Sequence, residues 1–177
     1  MMPLPSIRPL APTDSLARLT ELLHRAYAPL AACGLRYLAT HQSEEATKNR
    51  CTKGTCFVAE MDGQVVGTIT YYSPSATGGS PWLDRPDVAL FGQLAVDPAV
   101  QGRKIGRLLV ETAERRAREE GACIMALDTA LPARHLIAWY ERLGYRTVEY
   151  VNWSVTNYRS AVMIKPLEPD GQRGTPE

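Results

Sequence analysis

The stretch LAVDPAVQGRKIGRLLV, residues 94–110, reads as the end of a strand, a tight turn, a basic loop and the first turns of an amphipathic helix. Leu94, Ala95 and Val96 are apolar and stop at Asp97-Pro98; proline has no N–H to give to a sheet ladder. A helix N-terminus carries free N–H groups and a partial positive charge. Gly102 and Gly106 allow the backbone close to an anion, and Arg103, Lys104 and Arg107 crowd the same turn. The combination makes a cradle for a pyrophosphate. It is not a Walker loop, because no Gly-Lys-Ser/Thr follows at the required spacing, and it is not a dinucleotide fingerprint, because G-x-G-x-x-G is missing.

The whole chain supports a globular protein. Its 177 residues are 45% hydrophobic and 22% charged, with a formal net charge of +1. This suits a single packed domain and argues against a nucleic-acid binder. No apolar run approaches a membrane span, and MMPLPSIRPLAP at the start has no secretory core, so a cytoplasmic protein is expected. The four cysteines, Cys33, Cys51, Cys56 and Cys123, form no C-x-x-C pair. Free buried thiols are therefore expected rather than a metal site.

Working outward, Ile7–Leu10 predicts a short edge strand, and Thr13 or Asp14 a cap for a helix with its stripe at Leu16, Leu19, Leu22, Leu23 and Ala26, ending near Pro29. A more polar helix is expected over Ser43–Asn49. Asp62-Gly63 between two β-rich runs, Thr55–Glu60 and Gln64–Tyr71, predicts a hairpin. Residues 73–86 read as a loop and Val88–Val96 as a strand. The helix after the glycine loop is expected to bury Ile105, Leu108, Leu109, Thr112, Ala113 and Ala117, to expose Arg107, Glu111, Glu114, Arg115 and Arg118, and to end at Gly121. A short buried strand over Cys123–Leu127 ends at Asp128. A helix over Ala133–Leu143 follows, then strands at Tyr145–Trp153 and Ser160–Ile164. Hairpins early and alternation with helices late predict an α/β (α+β) mixed sheet with helices on both faces. Residues 1–167 are expected to form the domain and 168–177 a disordered tail.

Gln101, Gly102 and Gly106 resemble the acetyl-CoA loop of the GNAT-type N-acetyltransferases, whose pattern is Gln/Arg-x-x-Gly-x-Gly/Ala; Lys104 stands where that pattern has its inner glycine. Tyr140, Gly144 and Tyr145 resemble the family's Tyr-x-x-x-Gly-Phe/Tyr element, although Ala133 and Leu136 replace its asparagine and alanine. The resemblance spans residues 7–167. It implies a mostly antiparallel seven-stranded sheet whose strand 88–96 splays from strand 123–127. It implies that Leu94, Ala95, Val96, Gln101, Gly102, Arg103, Lys104, Ile105, Gly106 and Arg107 hold acetyl-CoA, with N–H groups near Leu94 and Val96 facing the pantetheine and the thioester oxygen. Lys104 is expected in an ordinary helical or turn conformation. Tyr140 is the expected acid toward the leaving thiolate.

The base is not assigned. The family's strand glutamate is replaced by Leu90; Asp87 and Asp128 read as residues at element ends, and Gln93 cannot take a proton. A water chain or a carbonyl suffices for a neutral amine. Tyr27, Tyr37, His41, Trp82, Trp153 and Tyr158 are the candidates for the acceptor wall, with Tyr150 beside them in the last hairpin. His24 and His135 read as packing or solvated residues, and Cys123 as too buried to be a nucleophile. The expected activity is direct transfer of an acetyl or short acyl group from acetyl-CoA to a primary amine of a small molecule or peptide, with no metal, nucleic acid or membrane involved; a homodimer is left open. The rival is a non-catalytic module that binds acyl-CoA and regulates.

Overall fold

A computed structural model describes residues 5–75 and 78–168. The chain runs β1 (Ser6–Pro9), α1 (Leu16–Ala32), a 3₁₀ turn (Leu38–Thr40), α2 (Glu44–Lys53), β2 (Thr55–Met61), β3 (Gln64–Tyr72), β4 (Val88–Val96), a second 3₁₀ turn (Pro98–Val100), α3 (Ile105–Glu119), β5 (Ile124–Ala130), α4 (Arg134–Arg142), β6 (Arg146–Asn152) and β7 (Arg159–Pro166). This is the predicted order. The tail from residue 169 lies outside the described residues.

One sheet holds all seven strands in the order β1-β2-β3-β4-β5-β7-β6. Every pairing is antiparallel except β4 with β5. The predicted hairpin at Asp62-Gly63 is present, with φ of 51° and 72°, the left-handed pair that matches strand twist. Strand alternation sorts the two faces. Cys56 and Val58 of β2 pack on Leu19 and Leu22 of α1. Ala59 and Met61 join Ile69, Phe91, Met125 and Met163 beneath Ile105 and Leu109 of α3 and Ile137 of α4. Helices α1 and α2 thus cover one face, and α3 and α4 the other.

Two features of β4 shape the site. Its parallel ladder with β5 runs only over Val88↔Ile124, Ala89↔Met125 and Leu90↔Ala126, after which the strands part. The pairing with β3 steps from Thr70↔Gly92 to Thr68↔Ala95, so β4 carries one extra residue. Gln93 sits in this bulge at φ 52°. Its side chain holds that uncommon conformation through a buried network: Nε2 donates to Thr70 Oγ1 at 3.0 Å, and Oε1 accepts from Gln42 Nε2 at 2.8 Å.

Several local expectations are corrected. Ser15, not Thr13 or Asp14, caps α1 by accepting from the Arg18 N–H. Asp14 is instead taken by Arg8, at 2.7 and 2.8 Å, and by the Ala11 N–H. Helix α1 continues through Pro29 to Ala32, and the Cys33 N–H closes its last turn on the Leu30 and Pro29 carbonyls. Glu114 is buried, not exposed, because Lys165 Nζ at 3.0 Å and the Tyr145 hydroxyl at 2.8 Å hold it from across the core. Cys51 and Cys56 are buried, but Cys33 and Cys123 are exposed. Strand β5 begins after Cys123 and runs past Asp128 to Ala130.

Candidate active site

The parting of β4 from β5 leaves an opening through the middle of the sheet, and two tyrosines close it from the α1 side. The Tyr27 hydroxyl donates to the Leu94 carbonyl at 2.9 Å. The Tyr37 hydroxyl accepts the Ala130 N–H at 3.0 Å and meets Thr129 Oγ1 at 3.0 Å. Their ring centroids are 5.3 Å apart, and the Tyr158 ring packs at a tilt against Tyr37 at 4.8 Å. Cavities lie on either side of this junction, and both are lined by Tyr27, Leu94, Leu136 and Tyr140.

The larger cavity, about 750 Å³, runs between the loop before α3 and the exposed side of α4. Leu94, Ala95, Val96, Gln101, Gly102, Lys104, Ile105, Gly106 and Arg107 line it. Arg103 of the predicted set is exposed and does not. His135, Trp139 and Arg142 of α4 form the opposite wall, which sequence reasoning missed. The N–H groups of Ile105, Gly106 and Arg107 have no backbone partner among the described residues, and no side chain caps the helix. Gly102, at φ 83°, has open space where a Cβ would stand. Free donors, Lys104, Arg107 and Arg142 together fit a pyrophosphate on a long flexible arm. Lys104 is in the left-handed region, φ 63° and ψ 10°, and this corrects the expectation of an ordinary conformation. The backbone here has the shape a glycine would take, and lysine occupies it at a steric cost.

The smaller cavity, about 250 Å³, is walled by Tyr37, Phe91, Trp153, Thr156 and Tyr158 as well as by the junction residues. Tyr27, Tyr37, Trp153 and Tyr158 of the predicted acceptor wall meet here. His41 and Trp82 are not part of the lining, and Tyr150 is half exposed under Arg159. The cavity has two charged residues in its lining, Arg50 and Asp128. Asp128 projects from the middle of β5 and opens to the cavity, where the Trp153 indole N–H donates to its Oδ2 at 3.0 Å. Desolvation by the surrounding cavity walls pushes its carboxyl above the ordinary range; the indole, the Ser160 hydroxyl and the Arg50 charge oppose the rise. The Ser160 hydroxyl is buried without a well-formed hydrogen bond, and its pull on the carboxylate is one of proximity. Asp87, the other acidic candidate, lies outside the lining, bound by Arg85 at 2.7 Å. Gln93 is committed to its network.

Tyr140 stands where the cavities meet. Its ring is packed by Trp139 at 5.0 Å and Phe91 at 6.2 Å between centroids. No protein group among the described residues hydrogen-bonds to its hydroxyl. Burial first, then the neighbouring Tyr27, Tyr37 and Asp128, keeps the phenol protonated well above its ordinary pKa.

A seven-stranded mixed sheet split between β4 and β5, with a glycine-bearing helix start beside the split, defines an acyl-CoA transferase fold, and the Acetyltransferase (GNAT) family pattern matches residues 16–145. The chain belongs to the GNAT family and is an acetyl-CoA-dependent acetyltransferase. It is 32% identical over 130 residues to the S-(2-succino)cysteine N-acetyltransferase of Bacillus subtilis, covering 72% of this chain and 76% of that protein. It is 27% identical over 161 residues to the probable N-acetyltransferase camello of Xenopus tropicalis, covering 85% and 70%. Among solved structures, PH1933 from Pyrococcus horikoshii superposes with a TM-score of 0.72 at 21% identity, over 93% of this chain and 99% of that one. The ribosomal-protein-S18-alanine N-acetyltransferase of Escherichia coli does so at 0.68 and 20%, over 97% and 99%. A GNAT acetyltransferase from Elizabethkingia anophelis with acetyl-CoA bound has a TM-score of 0.65 at 15% identity, over 92% and 98%. Among the described residues no cluster of three or more His, Cys, Asp or Glu is placed to hold a metal ion, and no helix is long and apolar enough to cross a membrane.

Proposed function

We propose that the protein moves an acetyl group from acetyl-CoA to a primary amine of a small molecule or of a peptide terminus, by direct attack with both substrates bound. The observation that carries this is the meeting of two chemically different cavities at one free hydroxyl. The long cavity, with cations and helix N–H groups, takes the CoA arm. The short aromatic one takes the amine, and Tyr140 stands between them. The cosubstrate supplies an acyl group already activated on a readily leaving thiol.

The chain's own residues do the rest. Asp128 faces the amine from β5 and takes its proton; a carboxylate with a raised pKa is a better base than an ordinary one. The Tyr140 hydroxyl, kept protonated, gives its proton to the departing sulfur. Leu94 falls in the bulge without a β3 partner, and Tyr27 fixes its carbonyl. Its N–H, in the unpaired stretch of β4, is assigned as the donor for the charge that develops on the thioester oxygen.

The test is thiol release from acetyl-CoA over a panel of amines. Amine-dependent release together with the N-acetylated product by mass spectrometry is expected. CoA binding with no release on any amine would sink the proposal and favour the regulatory module.

A further inference from the structure

The acceptor cavity contains one cation and one anion that do not neutralise each other. Arg50 and Asp128 both line a space of about 250 Å³, yet no ion pair forms between them or from either to any other described residue. Each is instead held by a neutral neighbour. Trp153 keeps Asp128 on the β5 side. Gln42, itself buried, keeps Arg50 on the α2 side: its Oε1 accepts from Arg50 Nη1 at 2.7 Å.

The Gln42 anchor is built in depth. Its Nε2 donates to Gln93 Oε1 at 2.8 Å and to Thr47 Oγ1 at 2.7 Å, and its backbone carbonyl meets His24 Nε2 at 2.8 Å. A neutral amide network that fixes a guanidinium through one N–H leaves the other N–H groups of the fork for a ligand. Gly92 forms the floor beneath. A Cβ there would lie 3.5 Å from Arg50 Nη2, so the missing side chain leaves the fork uncovered.

We infer that the acceptor is dipolar: an amino acid or similar amino-carboxylate whose amine meets Asp128 and whose carboxylate is gripped by Arg50. The inference rests on the amine-acetylation reading and narrows it. A guanidinium fork matches a carboxylate bidentately. The chamber is smaller than the roughly 300–1,000 Å³ typical of drug-sized ligand sites, which suits one free amino acid with an apolar or aromatic side chain against Tyr37, Trp153 and Tyr158. An internal peptide residue or a simple polyamine offers no anion at the required place.

The test compares L-amino acids with their primary amides, which keep the amine and side chain and lose only the charge. The probes are the aliphatic, sulfur-containing and aromatic members of each series, and one tripeptide. Steady-state thiol release is measured for the parent, Arg50→Met and Arg50→Lys. For the preferred side chain the parent's kcat/KM should favour the acid over the amide on the order of 10–100-fold, mostly through KM, as charge-assisted hydrogen bonds do. That acid-to-amide ratio should fall to about one in Arg50→Met and recover in part in Arg50→Lys. Calorimetric binding of CoA to each variant reports that the fold is kept. Equal turnover of acids and amides by the parent overturns the dipolar acceptor and leaves amine acetylation standing. A preference for acids that survives Arg50→Met overturns the assignment of Arg50. Turnover of neither series overturns the dipolar acceptor, and amine acetylation itself falls only if the wider amine panel also gives no thiol release.

Discussion

The Tyr27 hydroxyl donates to the Leu94 carbonyl at 2.9 Å, and both residues line both cavities. One hydrogen bond thus ties α1 to the free edge of β4 at the point where the two cavities meet. Burial raises the Tyr27 pKa further above its ordinary value, so the phenol keeps its proton and stays a donor at neutral pH.

Tyr140→Phe removes a hydroxyl that bonds to nothing in the protein among the described residues. Thermal stability should therefore stay at the parent value, and CoA should bind as before. Turnover at saturating acetyl-CoA and acceptor should fall toward the low end of the roughly 10²–10⁴-fold range for a positioned acid, since thiolates leave fairly readily. Parent-like turnover under conditions where chemistry limits would show that the hydroxyl is structural.

Asp128→Asn keeps the shape of the side chain and an oxygen for the Trp153 indole. Activity should drop by at least about 10²-fold. Stability should move the other way. The folded carboxyl has a pKa raised by burial above that of the unfolded chain. The folded state therefore holds the proton more tightly, and the parent's stability from this group is complete below the ordinary Asp value of about 3.9 and is lost as pH rises through the folded value. The variant should melt above the parent at neutral pH, and the difference should vanish at strongly acidic pH. A variant that melts lower at neutral pH would mean that the ionised carboxylate supports the fold.

Gly106→Asp places a carboxylate in the first turn of α3. A negative charge there suits the helix dipole, worth about 0.3–1 kcal/mol, and the new Cβ meets Trp139 at 3.4 Å and Val96 at 3.7 Å, ordinary contacts. The fold should be as stable as the parent's, while CoA affinity measured by calorimetry should fall by at least about tenfold from repulsion of the phosphates. Unchanged affinity would move the pyrophosphate elsewhere.

Lys104→Gly tests the left-handed residue. An L-residue in that region costs roughly 1–2 kcal/mol, and the extra freedom of unfolded glycine gives back about 0.4–1 kcal/mol. Denaturant titration should find the variant more stable by about 0.5–1 kcal/mol, with CoA bound a few-fold more weakly at low salt because an ammonium is gone. A less stable variant would contradict the conformation described.

The glycine loop, the Asp-Gly hairpin and the element order were legible because each depends on neighbours in sequence. The residues that escaped depend on partners brought from afar. Arg50 sits on a polar helix and reads as solvated; only Gln42, 8 residues back across a turn, turns it inward. Asp128 ends an apolar run and reads as a strand stop, yet β5 continues because β7 pairs with it through Ala130↔Ser160 and the carboxylate falls into a cavity. Glu114 looks like one more charge on an outer face until Lys165 meets it. Lys104 gives no sign in its side chain that its backbone is left-handed.

The short ladder between β4 and β5 gives the molecule something unusual at its centre: two raw strand edges indoors. An exposed edge invites another chain to pair with it, and proteins elsewhere cover, bend or charge such edges. Here the covers are hydroxyls, Tyr27 on one lip and Tyr37 on the other. Both lips are thus satisfied by side chains and not by rungs, so the sheet stays open at its middle without offering an edge that another strand could extend.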